Sequence, residues 1–337
     1  MKAITYSSPG SSSVLQFVER EVPVPGPGEV RVKVVVSGVN PTDWKNRRGA
    51  AGELEFDEVV PNQDGAGIID AIGPGVDGLT AGDRVWMYLS AWKRPSGTAQ
   101  QYTVVLAEHV VRLPENVSFD VGASLGVPAM TAHRALTVSE DGPARLAPGA
   151  LKGKTVLVAG GAGAVGHAAV QLARWADATV VTTVSSPEKG ALATAAGADH
   201  VVNYKTEDAA EAIRAVAPNG VDIIVEVAPA QNADLNAAVA SSHATIAIYA
   251  SNGGDTITHK TLPNMMVNAR YQFVLMYTIN EKSLNNAAED VTAAARSGAL
   301  EVGEDTGLPL HRFPLAETAA AHDAVESGIV GKVLIDV

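Results

Sequence analysis

The order of apolar and polar residues changes rhythm near residue 126. Upstream, residues 30–36 read Val-Arg-Val-Lys-Val-Val-Val, a near alternation that predicts a half-buried antiparallel strand. Pro23, Pro25, Gly26, Pro27 and Gly28 punctuate the chain just before it. Further short strands are expected over 65–72, 84–89, 101–105 and 109–113. Strands this short, bounded by turn residues, predict a small barrel or sandwich.

Downstream, β-branched runs alternate with stretches rich in Ala and Leu. Residues 127–138 can form a helix. Strands are expected over 155–159, 179–184, 200–202, 222–227 and 245–249, with helices over 163–176, 187–196, 206–217 and 232–240. That alternation predicts an α/β fold, a doubly wound parallel sheet with helices on both faces. Residues 271–276 supply a sixth strand. The tail is mixed: helical over 281–297, extended over 308–313, helical over 315–327 and strand over 332–337.

The strand expected at 155–159 runs straight into Gly160-Gly161-Ala162-Gly163-Ala164-Val165-Gly166 and then into a helical pattern. Gly161, Gly163 and Gly166 spell G-x-G-x-x-G in the strand–turn–helix setting of a dinucleotide site. Gly163 leaves bare backbone for a pyrophosphate, and Gly166 lets the helix approach the strand. Free N–H groups and the helix dipole then favour phosphate charge. Glycine turns also end strands for structural reasons alone; the setting is what points to a nucleotide.

At 337 residues, 46% hydrophobic and 18% charged, the chain is globular in composition and long enough for two cores. A net charge of −12 opposes binding to nucleic acid or to an anionic membrane surface. There is no cysteine, which removes disulfides and thiolate-bound zinc and fits a reducing cytoplasm. No apolar core follows Lys2 and no apolar run is long enough to span a bilayer, so neither signal peptide nor membrane span is expected.

An NAD-binding fold usually ends its second strand in Asp or Glu, which holds the ribose 2′-hydroxyl. Here Ser185, Ser186 and Pro187 follow that strand, with Lys189 beyond, and Glu188 lies past the turn. Hydroxyls and an ammonium hold a 2′-phosphate that a carboxylate repels, so NADPH is the expected cofactor. Ser-Ser-Pro also reads as a helix N-cap with proline in the first turn, and both readings can hold together. Tyr204, after the third strand, lies against the adenine, contacts the 2′-phosphate, or is a plain exposed loop residue.

Five segments in order carry a family resemblance. They are Gly38-Val39-Asn40-Pro41-Thr42-Asp43, Gly82-Asp83-Arg84-Val85, Gly126-Val127-Pro128-Ala129-Met130-Thr131-Ala132, Ala162-Gly163-Ala164-Val165-Gly166 and Gly331-Lys332-Val333. Through them the chain resembles, over essentially its whole length, the zinc-independent quinone oxidoreductases of the medium-chain dehydrogenase/reductase superfamily, the group that includes zeta-crystallin. The resemblance implies a Rossmann doubly wound sheet plus a GroES-like, β-barrel-type catalytic domain. On that pattern 1–125, completed by 278–337, is the catalytic domain, and 126–277 binds NADPH. It also implies a homodimer joined through edge strands, which the apolar run 273–276 permits.

Zinc-dependent members of that superfamily carry a cysteine near the position of Asn40 and a histidine in the segment matching 61–67. Here that segment reads Pro61-Asn62-Gln63-Asp64-Gly65-Ala66-Gly67, without histidine, and the four-cysteine structural lobe is missing. An Asn, Gln and Asp cluster can in principle hold Mg²⁺ or Ca²⁺, but the substitutions read as loss of a site, so no metal is expected. Without a Lewis acid, interconversion of alcohol and ketone loses its electrophile. A quinone or conjugated enone accepts hydride more easily and spreads the charge onto oxygen.

By family position, Asn40 lies near nicotinamide and substrate, where its amide can donate to a developing enolate or quinol oxygen. The alternative is an Asx turn before Pro41. Asp43 orients a partner, relays a proton, or is a helix N-terminal carboxylate. Thr131 contacts the nicotinamide end or is a buried helix hydroxyl. Ala162, Gly163, Ala164, Val165 and Gly166 form the phosphate turn, and Ser185, Ser186, Lys189 and Tyr204 the 2′-phosphate end. Tyr249, Ala250, Ser251, Leu275, Met276 and Tyr277 lie near the cofactor by family position; only the first three also follow from their place after a parallel strand. Relatives often carry tyrosine at Lys45. Residues 88–97 look longer than in relatives and form a lid or a solvated loop. His133 and His167 read as structural.

The expected activity is NADPH-dependent quinone reduction, in the cytoplasm, on a small-molecule quinone or enone. One alternative is an enone or enoyl-thioester reductase on the same scaffold. Another is a non-catalytic NADPH-binding or structural protein.

Overall fold

The computed structural model describes residues 1–50 and 52–337. Two compact units divide the chain: Met1–Pro128 with Pro309–Val337, and Ala129–Leu308.

The first unit is organised on a seven-stranded sheet whose axis is the strand Glu29–Val39. Val30, Val32, Val34 and Val36 are buried while Lys33 is exposed, as the alternation predicts. This strand pairs antiparallel with Asp64–Ile72, Tyr102–Leu106 and Lys332–Asp336. The tail therefore returns to the N-terminal sheet, with Val333 opposite Val39. Among the described residues the ladder stays open rather than closing into a barrel. It runs from Leu310–Pro314 to Val110–Arg112, and these end strands do not pair. Val39, Val60, Ala99, Leu315, Val333 and Ile335 form one core of this unit.

Residues 88–97 are buried at both ends and exposed at Lys93 and Pro95. Tyr88, Leu89 and Ser90 are buried. The Ser90 N–H donates to Gln63 O at 3.1 Å, and Arg94 pairs with Glu29.

The second unit holds a six-stranded, all-parallel sheet. Its spatial order is His200–Asn203, Thr179–Val184, Thr155–Ala159, Val221–Glu226, Ala240–Ile248 and Arg270–Phe273. The chain reverses direction across the sheet between Thr155–Ala159 and Val221–Glu226, the switch point beside which α/β sheets bind ligands. Val156, Leu157 and Val158 of one central strand and Ile223, Ile224 and Val225 of the other are all buried, as expected where both faces of a parallel sheet are covered.

Three expectations are corrected. Residues 127–138 are not one helix. A π-turn over Leu125–Ala129 separates Phe119–Ser124 from Met130–Leu136, because Pro128 lacks an N–H and Gly126 leaves helical geometry. Helix Glu281–Arg296, read as part of the first domain's tail, belongs to the second unit. Its Asp290 pairs with the His133 ring at 2.8 Å and accepts the Leu146 N–H at 2.7 Å, which ties it to that core. The sixth strand ends at Phe273, and Met276–Thr278 is a 3₁₀ turn. His133 and His167 are structural: the second bonds Thr306 O at 2.8 Å, and burial holds its ring down to about 4.

Candidate active site

In the second unit, Gly163 is the N-cap of the 12-residue helix Ala164–Trp175 and is exposed. A Cβ added there would meet nothing nearer than Gly160 O at 3.5 Å, so its outer side is open. A Cβ on Gly166 would fall 2.3 Å from Gly160 O, so a side chain there would push helix and turn apart. Ala162 is buried beneath the turn, and Ala164 and Val165 begin the helix. The first turn carries no acidic residue. An open backbone edge at the start of a full-length helix fits a dinucleotide phosphate.

At the end of Thr179–Val184 the two readings of Ser-Ser-Pro coexist. Ser186 Oγ caps the helix Pro187–Ala195 by accepting the Lys189 N–H at 3.3 Å. The Lys189 ammonium turns back and donates to Ser185 Oγ at 3.1 Å. Hydroxyl and ammonium thus share one patch, and Glu188 is exposed beside it. Tyr204 is 48% exposed, with the Lys205 ammonium 5.4 Å from its ring centre. Lys205 is a second cation on the loop after the third parallel strand that the sequence reading passed over; its adjacency to Tyr204 was the available signal.

Tyr249 and Ala250 are half-buried and Ser251 is exposed, just beyond Ala240–Ile248. Burial, and then the charge of Glu226, push the Tyr249 phenol well above its usual range. Leu275 is exposed and Tyr277 half-buried, but the Met276 side chain is buried and not presented. Thr131 is buried on Met130–Leu136.

The first unit contains a polar cluster built almost entirely out of water. Asn40 follows the strand Glu29–Val39 and is the N-cap of the helix Pro41–Arg47. Asp43 Oδ2 accepts the Asn40 N–H at 2.7 Å, and its Oδ1 accepts the Gln63 N–H at 3.2 Å. The Asn40 carboxamide bridges two charges. Its Oδ1 accepts from Lys332 Nζ at 2.7 Å, and its Nδ2 donates to Asp64 Oδ2 at 2.7 Å. Lys332 Nζ also donates to Val39 O at 3.2 Å. The π-turn aims the Val127 N–H at both Asp64 oxygens, 2.9 and 3.0 Å away. A Cβ on Gly126 would lie 2.1 Å from Asp64 Oδ1, so only glycine allows that approach.

Exposure of Asn40, Asp43, Asp64 and Lys332 is 2%, 4%, 0% and 1%, so solvent screens none of them. Two carboxyls share one ammonium. Burial, with the Asp64 charge adding to it, pushes Asp43 up to about 7. Burial pushes Asp64 up to about 6, held back by Lys332, the Asn40 amide and the Val127 N–H. Burial lowers Lys332 against the pull of both carboxylates. Lys332 balances Asp64 first, which leaves Asp43 as the carboxyl with the weaker countercharge.

Asp43 takes the helix N-terminal position: its Oδ2 closes the helix start at Asn40, and its Oδ1 ties that start to Gln63. The Asn40 side chain is engaged on both sides, with one Nδ2 hydrogen left without an acceptor among the described residues. Lys332 and Asp64 are site residues that the sequence does not single out, although both lie in or beside the segments that carry the resemblance. The signal is a charge that opens a largely apolar strand. Among the described residues no three His, Asp or Glu side chains gather to hold a metal ion. The donors at the family's zinc positions, Asn40 and the 61–67 segment, are amides and one carboxylate already bonded to protein.

Residues 26–115 match the alcohol dehydrogenase GroES-like domain, and residues 164–293 match the zinc-binding dehydrogenase domain. Together with the two sheets, these matches define a medium-chain dehydrogenase/reductase. The chain is 30% identical over 339 residues to the quinone oxidoreductase of Lama guanicoe, covering 99% of this chain and 97% of that one. It is 29% identical over 334 residues to a 2-haloacrylate reductase of a Burkholderia species, covering 96% and 94%. The solved structure of mycobacterial Rv1454c complexed with NADPH superposes with a TM-score of 0.81 at 28% identity, over 100% of both chains. The chain belongs to the quinone oxidoreductase family.

Proposed function

We propose that this protein reduces quinones with NADPH and without a metal. The observation that carries the reading is the Ser185–Lys189 pair at the end of the second parallel strand, on a chain 30% identical to a quinone oxidoreductase. A relative solved with NADPH supports the choice of cofactor. When bound, NADPH supplies a hydride, and one solvent proton completes the hydroquinone.

The chain's own residues bind, orient and polarise. Backbone N–H groups from Ala162 to Gly166 receive the pyrophosphate. Ser185, Ser186, Lys189 and Tyr204 take the 2′-phosphate end, where an ammonium adds a charge-assisted bond. Thr131, Tyr249, Ala250, Ser251 and the backbone of Leu275, Met276 and Tyr277 line the rest of the cofactor. Asn40 gives its remaining Nδ2 hydrogen to the acceptor oxygen on which charge develops. Asp43 fixes the backbone of Asn40 and acts through it. On this reading 1–125 and 278–337 form the catalytic domain and 126–277 the NADPH-binding domain, with helix Glu281–Arg296 moved to the latter.

A second reading, reduction of a conjugated carbon–carbon double bond, is favoured by the likeness to the 2-haloacrylate reductase. NADPH oxidation against a panel of quinones, enals, enoyl thioesters and 2-haloacrylate, with a chelator control, separates the two. Quinone turnover that resists chelation is expected. Turnover only with alkenes favours the second reading. NADPH binding with no turnover of any acceptor favours a non-catalytic protein.

We also propose a homodimer. The strand Arg270–Phe273 pairs on one side only, and Phe273 is 67% exposed. Leu262, Met265 and Met266 on the helix Thr261–Met266 are also more than half exposed. An open edge flanked by apolar side chains invites a second copy. Among the described residues no helix is long and apolar enough to cross a membrane. The absence of cysteine supports a reducing, cytoplasmic setting.

A further inference from the structure

We propose that Lys332 and Asp64 are positioning residues that hold the Asn40 carboxamide in one orientation and polarise it toward an acceptor oxygen. The inference rests on the reading of Asn40 given above and names the two groups through which it works.

Chemistry dictates the orientation. An ammonium only donates and a carboxylate only accepts, so Lys332 must face the Asn40 oxygen and Asp64 its nitrogen. A flipped amide would set oxygen against carboxylate and N–H against ammonium. Donation from a cation to the amide oxygen draws electron density from the nitrogen, which makes the remaining N–H a better donor. Among the described residues Lys332 forms no direct ion pair, so its charge acts on Asp64 through the amide rather than beside it.

Asp64 is itself held from behind by a chain of hydrogen bonds whose direction can be deduced. Thr98 Oγ1 donates to Asp64 O at 2.6 Å, which uses its one proton. Ser37 Oγ must then donate to Thr98 Oγ1, 2.7 Å away. Ser37 in turn accepts from Asn62 Nδ2 at 3.0 Å, and Asn62 Oδ1 accepts from His322 Nε2 at 2.9 Å. Burial, and then the nearby Arg47 charge, lower the His322 ring to about 3, so it is neutral and donates from Nε2. Asn62 sits at a φ of 79°, a left-handed conformation uncommon outside glycine. Backbone strain of this kind persists where surroundings over-determine a geometry. Gly126 and the π-turn complete the clamp from the other side.

The test compares wild type with Asn40→Ala, Lys332→Met, Asp64→Asn and the double variant Asp64→Asn/Lys332→Met. Steady-state quinone reduction, NADPH affinity by fluorescence and thermal unfolding are measured for each. The double variant removes one negative and one positive charge together, so the net charge of the cluster is kept. A positioning role predicts kcat at least about tenfold down in Lys332→Met and in the double variant, with NADPH affinity unchanged. It also predicts that the double variant regains the wild-type melting temperature more fully than the wild-type kcat. A structural ion pair alone predicts that kcat returns with stability, and that result overturns the inference.

A second readout needs no turnover. The Asn40 side-chain amide resonances, assigned by their loss in Asn40→Ala, should exchange slowly with water in the wild type. They should exchange faster in Lys332→Met, and equal rates overturn the inference. If Asn40→Ala itself turns over at the wild-type rate, the reading of Asn40 fails. If Asn40→Ala is slow while the Lys332 and Asp64 variants are not, only the positioning inference fails.

Discussion

Lys332 and Asp64 carry opposite charges, yet the Asn40 carboxamide stands between them. Each bonds to it at 2.7 Å. Inside the protein such a bridge costs desolvation for every member and is tolerated because each is satisfied. It turns an ordinary amide into one with a fixed direction and a strengthened N–H. The rest of the first unit is built to hold this bridge: a strand end, a helix cap, a π-turn and a returning tail strand.

The glycine turn should not accept a methyl group at Gly166. Gly166→Ala places Cβ 2.3 Å from Gly160 O and 2.9 Å from Gly161 Cα. Both are backbone atoms that cannot swing away. We expect a loss of about 1–3 kcal/mol by thermal unfolding and NADPH binding at least about tenfold weaker by fluorescence titration. Wild-type values for both would remove this turn from the account.

The Lys189 ammonium is the charged partner expected for a 2′-phosphate. A hydrogen bond to a charged group contributes roughly 1.5–3 kcal/mol, so Lys189→Ala should lower the NADPH-to-NADH preference by about 10- to 100-fold. The ratio of kcat/KM for the two cofactors reads this directly. An unchanged ratio would dismiss Lys189.

The carboxyl at Asp43 makes stability depend on pH in an unusual direction. Its ordinary value is 3.8, and burial with the Asp64 charge raises it to about 7 in the fold. Between these values the folded state holds more protons than the unfolded one, so stability falls as pH rises across that window. The effect is full below about pH 4 and is lost as pH passes about 7. Asp64, raised to about 6, adds in the same direction. Buried His167 and His322, lowered to about 4 and about 3, act in the opposite direction, so the comparison is with Asp43→Asn: from pH 4.5 to 8 the wild-type urea midpoint should fall relative to that of Asp43→Asn. Identical slopes would show that Asp43 does not titrate in this range.

Two copies should associate through the strand Arg270–Phe273. Light scattering should return twice the 34.7 kDa chain mass for the wild type. Phe273→Lys combined with Met266→Lys sets charges at two exposed apolar positions and should return a single chain mass. A wild-type monomer, or a double variant that stays dimeric, would count against this edge.

The parallel sheet was legible in the sequence because its signals are local. Thr155–Ala159 is β-branched and apolar, and the glycine turn adjoins it in sequence. The Ser-Ser-Pro segment was equally readable, since capping chemistry acts within a few residues. The polar cluster was not legible as a cluster. Lys332 and Asn40 lie 292 positions apart and meet only because the tail strand pairs with Glu29–Val39. Gly38, Gly126 and Gly331 were quoted for resemblance alone. All three prove to be close approaches: a Cβ on Gly38 would stand 2.2 Å from Ala123 O and 3.2 Å from Lys332 Nζ, one on Gly126 2.1 Å from Asp64 Oδ1, and one on Gly331 2.3 Å from Pro309 O. The helix 281–296 was assigned to the wrong unit because an amphipathic helix shows which face it buries but not against what.

The most direct test of the account is the turnover of Asn40→Ala with a quinone at saturating NADPH. Loss of a preorganised donor to developing charge predicts kcat about 100-fold below wild type, with NADPH affinity close to that of the wild type and a lowered melting temperature, because buried Lys332 and Asp64 lose their bridge. An Asn40→Ala enzyme that reduces the quinone at the wild-type rate would contradict it.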